Sequence, residues 1–200
     1  MAPPTVPWWG RLSSLLAPIL LIGGWTVAAA LQLQPRGFDS TTGTISELAG
    51  LGADSRWVMT VGIAGTGVCH LLTASALRPA ARGGRILLAL GGVFTLLVAA
   101  FPLPAGGGSS PAHTAVAFAA FVLLTVWAGF SPRSTVRGFV PWGLRRPVAR
   151  LATAVLALAT LAFFASVVLG VGPVGLLERV AAGAQVLWPL LVVASVPRRR

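Results

Sequence analysis

Long apolar runs separated by short polar stretches make up most of this chain. Six runs approach the length of a bilayer crossing: residues 13–33, 57–77, 86–104, 113–130, 151–171 and 180–196. A hydrocarbon core about 30 Å thick needs roughly 20 helical residues at about 1.5 Å each, so the third, fourth and sixth runs are on the short side. The pattern shows no fixed-period repeat and no soluble domain. It predicts an all-α fold, one integral membrane domain over residues 1–200 built as a six-transmembrane-helix bundle.

The polar stretches between the runs differ in sign. Arg11, then Arg78, Arg82 and Arg85, then Arg133, Arg137, Arg145, Arg146 and Arg150, and finally Arg198, Arg199 and Arg200 fall on one side, twelve in all. The other side holds only Arg36, Arg56 and Arg179, together with all four acids, Asp39, Glu47, Asp54 and Glu178. Arginine accumulates in cytoplasmic loops, so both termini are expected in the cytoplasm, as an even number of spans requires. Trp8, Trp9, Trp57, Trp127 and Trp142 lie near run ends, where indole rings favour the headgroup level, whereas Trp25 and Trp188 lie deeper and read as packing residues. A competing reading makes the first run a secretory signal, because Arg11 precedes an apolar stretch ending in Ala28, Ala29 and Ala30. Its length suits an uncleaved anchor better.

Composition agrees. The chain is 56% hydrophobic and only 10% charged, with a mean hydropathy of +0.85. A net charge of +11 would point to nucleic acid in a soluble protein, but here the arginines punctuate membrane spans, so no nucleic-acid partner is expected. Lys and Tyr are missing while Ala, Gly, Pro and Arg abound, the usage of a GC-rich bacterial genome. The lone Cys69 excludes an intramolecular disulfide, and no CxxC pair offers a zinc or redox site. The basic loop 131–150, with Phe139, Val140 and Trp142, is placed to lie along lipid headgroups.

Within the second run, Gly62, Thr66, Cys69 and Thr73 recur at steps of three and four, a stripe that lets a neighbouring helix approach closely. Gly62, Gly65 and Gly67 lack a preceding strand and are no phosphate loop. Pro189 in the sixth run removes an N–H and leaves the Gln185 carbonyl without its helical partner, so a kink is expected there, with Gln185 facing protein.

Two intramembrane polar residues, His70 and Gln185, stand apart from a cluster on the non-cytoplasmic side: Ser46, Glu47, His113, Glu178 and Arg179. A haem held between the histidines is excluded by depth. His70 lies about 20 Å down its helix at 1.5 Å per residue, while His113 opens the fourth span. Thr44 or Ser46 can cap a short helix carrying Glu47, and Glu178 and Arg179 read as opening the sixth span with a favourable first-turn acid.

Four motifs in fixed order carry a resemblance: Thr44-Ile45-Ser46-Glu47-Leu48 after the first span, Phe101-Pro102 ending the third, His113 opening the fourth and Leu177-Glu178-Arg179 entering the sixth. Over nearly its whole length the chain resembles the DUF998 family of six-span membrane proteins. The resemblance implies an integral membrane protein with no established reaction, similar in plan to the Frag1/DRAM/Sfk1 group linked to membrane organisation. Family members commonly carry an acid after the Phe-Pro pair and a second His before the fourth span. Here Leu103, Pro104 and a Gly/Ser-rich stretch stand there, which argues against a metal site built from this loop.

Three function classes remain open. The first is a lipid-associated or membrane-organising protein whose outer cluster locks the loops over the bundle, with membrane lipid, and a protein partner or second copy, as its contacts. The second is a lipid-head hydrolase or transferase at the outer leaflet, with Ser46 as nucleophile, His113 as base and Glu47 or Glu178 orienting. A metal variant would gather His113 with Asp39, Glu47 or Glu178, but one histidine with mobile carboxylates is a poor zinc set; no metal and no cofactor is expected. The third is a small transporter using His70, Gln185 and a break at Pro189.

Overall fold

The computed structural model describes residues 5–32, 38–105, 108–133 and 140–198. Leu33, Arg36, Gly106, Gly107, Arg137, Phe139, Arg199 and Arg200, which enter the expectations above, lie outside the described residues. The described residues form seven α-helices and no strand: α1 Trp8–Ala30, α2 Ile45–Leu48, α3 Arg56–Ala76, α4 Arg82–Ala100, α5 Pro111–Val126, α6 Arg146–Leu169 and α7 Val174–Ala194, with a 3-10 turn at Trp142–Leu144. Five of them, α1, α3, α4, α6 and α7, are long and apolar enough to cross a membrane. α5, at 16 residues, reaches about 24 Å at 1.5 Å per residue.

The helix ends follow backbone chemistry more closely than hydropathy. Pro7 precedes α1, Pro111 starts α5 behind its Ser110 cap, and Pro173 precedes α7; at each proline the missing N–H costs nothing. Gly170, at φ 64°, ends α6 in the left-handed conformation that only glycine adopts freely. α7 therefore begins at Val174, six residues ahead of residue 180. Glu178 and Arg179 sit inside the helix rather than opening it, and its first turn holds no acid. The apolar stretch Val174-Gly175-Leu176-Leu177 propagates helix through the charged pair.

The six longer helices close a ring in chain order, α1, α3, α4, α5, α6 and α7, with α7 returning to α1. Contact is densest between α1 and α3 and thinnest between α5 and α6. On α3 the expected stripe is buried, and its glycines set the spacing. A Cβ at Gly62 would lie 2.7 Å from the Leu20 carbonyl, and at Gly67 2.8 Å from that of Gly92. Hydroxyls seal the same faces: Ser13 and Thr73 share a 2.9 Å hydrogen bond between α1 and α3, and Thr66 Oγ1 donates to the Gly62 carbonyl at 2.7 Å.

At the thin contact, polar bonds replace close approach. Gln185 Nε2 on α7 donates to the Phe121 carbonyl at 2.9 Å and lies 3.0 and 3.1 Å from the hydroxyls of Thr125 on α5 and Thr160 on α6. Phe118 and Phe121 pack edge-on or tilted against Phe163 and Phe164 beside them. Gln185 faces protein, while α7 runs through Pro189 without a break. Residues beyond the proline are buried against α1 and the 3-10 turn, and that packing holds the last turn and a half in place.

Arginines finish several helices at one end of the bundle. Arg85 donates to the carbonyls of Ala74 and Ser75, and Arg11 to those of Val196 and Pro197, so the carbonyls left open at the ends of α3 and α7 are met by cations. Trp8, Trp57 and Trp142 are exposed at the bundle ends, but Trp127 is fully buried. The turn after α5 tucks it into the core because the Phe130 and Ser131 carbonyls accept from Gly84 and Ala81 at the start of α4.

A side chain at Gly92 must push α3 and α4 apart, whereas Gly23 has open space beside it. Gly92→Leu is expected to cost about 1–3 kcal/mol and to lower Tm in detergent by roughly 2–12 °C. Gly23→Ala should leave Tm unchanged or raise it. Thermal unfolding of the two variants side by side checks the close approach.

Candidate functional site

At the acid-bearing end, Thr44 and Glu47 form a complete capping box. The Thr44 hydroxyl accepts from the Glu47 N–H at 3.0 Å and the Glu47 carboxylate accepts from the Thr44 N–H at 3.0 Å. This box fixes α2, a single turn, and turns Glu47 back on its own cap, away from Ser46. Thr44, not Ser46, is the cap.

α2 is held to α7 through Glu178, only 4% exposed. One carboxyl oxygen accepts from the Ile45 N–H, and the other lies 3.3 Å from Ser46 Oγ. Ser46 Oγ is 3.1 Å from His113 Nε2, and His113 Nδ1 is 2.7 Å from the Phe101 carbonyl. That carbonyl belongs to the last residue before Pro102, where α4 stops and its own acceptors are left open. His113 is placed by the Ser110 cap and Pro111 at the start of α5. Ser46, His113 and Glu178 thus converge from α2, α5 and α7.

Arg179 joins from outside the chain of bonds. Its NH1 lies 2.7–2.9 Å from the carbonyls of Ser40, Gly43 and Gly175, tying the loop before α2 to α7, and its guanidinium sits 5.7 Å from the Phe38 ring. Asp39 closes the same loop by accepting from the Thr41 N–H and the Thr42 hydroxyl. Those bonds, the backbone one first, hold its carboxyl below the ordinary range. Among the described residues no three His, Cys, Asp or Glu side chains gather as metal ligands.

The proton inventory of the convergent trio is restrictive. A carbonyl only accepts, so Nδ1 of His113 carries hydrogen toward Phe101. Ser46 has one hydroxyl proton for two neighbours. For both Ser46 contacts to be hydrogen bonds, either a protonated Glu178 donates to Ser46 and Ser46 donates to a bare Nε2, or an imidazolium donates to Ser46 and Ser46 donates to carboxylate. Both arrangements contain the same number of protons, so Ser46 can relay one between Glu178 and His113 by reversing its hydroxyl. In the first, the hydroxyl faces an unprotonated imidazole nitrogen, the ground state of an activated serine.

Below the trio lies a cavity of about 80 Å³, walled largely by apolar side chains, with Ser46, Glu178, Thr66, Thr95, Gln185 and His70 as its polar lining. Its volume is that of roughly two or three liquid water molecules. His70 is 1% exposed, and neither ring nitrogen has a partner among the described residues.

The Phe101 carbonyl and the Ile45 N–H, which complete the site, are backbone groups. Sequence reasoning missed both, although Pro102 signals that the helix stops before it and leaves its last carbonyls open. Glu178→Gln should keep Tm close to that of the parent chain, since an amide can accept from Ile45 and donate to Ser46. Glu178→Ala strands a buried N–H and is expected to cost about 1–3 kcal/mol; equal losses in both variants would show that the carboxylate is required. His70→Phe removes two unpartnered nitrogens and is expected to be neutral or stabilising in the same melt.

No curated protein and no solved structure matches the chain. A family model described as "Protein of unknown function (DUF998)" matches residues 15–195, a span that contains every element of the site. With its apolar helices and this match over most of its length, the chain belongs to the DUF998 family.

Proposed function

We propose that the chain is a six-span, lipid-associated protein of the cell membrane with both termini in the cytoplasm, and that its outer cluster is a lock. α5 and the hydrogen-bonded turn from Trp127 to Ser131 together make the fourth of the six crossings. The division of twelve arginines from all four acids sets the orientation.

The observation that carries the lock is that Ser46, His113 and Glu178 answer one another and two backbone groups, joining α2, α4, α5 and α7. His113 and Glu178 are 6% and 4% exposed, so these bonds are made where water does not compete. Lipid association is supported by the belt between the two ends. Leu158, Leu161, Val168 and Phe118 are among many large apolar side chains that face outward from it. Arginines at the inner end meet headgroups. A midplane transport site is less well supported, because Gln185 is engaged in joining α5, α6 and α7.

One observation favours a second reading, a lipid-head hydrolase or transferase: the 3.1 Å contact of His113 Nε2 with Ser46 Oγ, with Nδ1 anchored behind it. The two readings separate in a single set of samples. Under the lock reading, Ser46→Ala and His113→Ala each lower Tm by several degrees in nanodiscs, with anionic lipid stabilising parent and variants alike over zwitterionic lipid. A serine-directed fluorophosphonate should leave the parent chain unlabelled. Labelling at Ser46 that disappears in His113→Ala would establish the enzyme reading instead, and indifference to lipid charge would remove the lipid one.

A further inference from the structure

At the arginine-rich end, three separate stretches of chain surround a pocket of about 540 Å³: the start of α1 with the residues before it, Arg78 between α3 and α4, and Arg198 after α7. We propose that this pocket, formed by Arg11, Arg78 and Arg198 with Trp8 and Trp9, binds the phosphate of an anionic lipid headgroup. The assignment rests on the lipid-associated reading and gives it a site.

Arg11 is the fixed member. Its two terminal nitrogens donate to the carbonyls of Val193, Val196 and Pro197, which aligns the guanidinium while leaving two of its five N–H donors. Arg78 and Arg198 are exposed and have no side-chain partner among the described residues. Arg198 is close enough to Arg11 for the two charges to repel. No Asp or Glu side chain relieves them, since Asp39, Glu47, Asp54 and Glu178 all lie at the opposite end of the bundle. An anion between the guanidiniums removes the repulsion. Phosphate suits them, because the planar forks of Arg78 and Arg198 can each present two parallel donors to two of its oxygens, while Arg11 adds single N–H groups.

The surroundings select a lipid over a free ion. Trp8 is 75% exposed and Trp9 37%, on the rim of the pocket at the start of a membrane-crossing helix, where indole rings sit at headgroup depth. A zwitterionic headgroup would bring its own cation toward three arginines, whereas a headgroup such as phosphatidylglycerol brings none. Bound there, one phosphate would join the beginning of α1, the α3–α4 turn and the end of α7, where the ring of helices closes.

The test uses the full chain in nonionic detergent, titrated with short-chain phosphatidylglycerol, phosphatidylcholine or inorganic phosphate and followed by native mass spectrometry. Arg78→Gln with Arg198→Gln removes two pocket charges and leaves the capping Arg11 in place. Arg82→Gln with Arg150→Gln removes two charges at the same end outside the pocket. The pocket variant should bind phosphatidylglycerol about thirtyfold more weakly than the parent, and the control within about threefold of it. Equal losses in the two variants would overturn the site in favour of diffuse attraction, and inorganic phosphate competing at equal concentration would overturn the lipid source. Unchanged binding in the pocket variant would remove this site alone. If the parent chain does not distinguish phosphatidylglycerol from phosphatidylcholine, the lipid-associated reading falls with it. Melting curves of both variants show whether they are folded.

Discussion

The contact between the buried Glu178 carboxyl and the Ile45 N–H governs the acid-bearing end of the molecule. α2 is a four-residue helix, far too short to persist alone. It exists because Thr44 and Glu47 cap it and because Glu178 holds its first N–H from the flank of α7. With α2 fixed, Ser46 is carried to His113, and His113 is turned so that its other nitrogen meets the open carbonyl ending α4. Loss of that one acceptor would release a backbone donor, a hydroxyl and an imidazole together. For this reason the trio acts as a unit in which each partner's position depends on the others.

The bundle beneath answers the same constraint in two ways. Where helices are joined by glycine and hydroxyl faces, as along α3, backbones approach until carbonyls leave no room for a Cβ. Where they are not, at α5 and α6, a glutamine and two threonines supply directional bonds in place of contact. In lipid neither device competes with water, so a modest number of bonds holds helices that no hydrophobic force drives together. His70 stands outside this economy, with two nitrogens unanswered beside a small cavity.

Charge organises the molecule along its axis. The arginine-rich end has no Asp or Glu side chain to pair with, so its cations turn to helix carbonyls first, as Arg11 and Arg85 do, and then outward. The opposite end keeps three of its four acids internal or turned to backbone donors: Glu47 and Asp39 on nearby N–H groups, and Glu178 beneath α2. Arg179 follows the same rule in reverse by meeting three carbonyls. These are local solutions to the cost of leaving charges and open backbone groups unmet near a membrane.

Hydropathy and residue type in the sequence were enough to establish an all-helical protein with long apolar helices, the close-packing stripe on α3 and the inward face of Gln185, because each depends on period and side-chain size within one helix. The residue types at the outer cluster were legible too. Their arrangement was not. Whether Glu178 opened α7 or lay inside it depended on Pro173 and on the loop it packs against, and the burial of Trp127 at the end of α5 depended on backbone bonds from the following turn to the start of α4. The partners that complete the site, the Phe101 carbonyl and the Ile45 N–H, are present at nearly every position of any chain. Only the tertiary structure singled them out, because a backbone group becomes specific when folding leaves it buried, unpaired and within reach of one side chain.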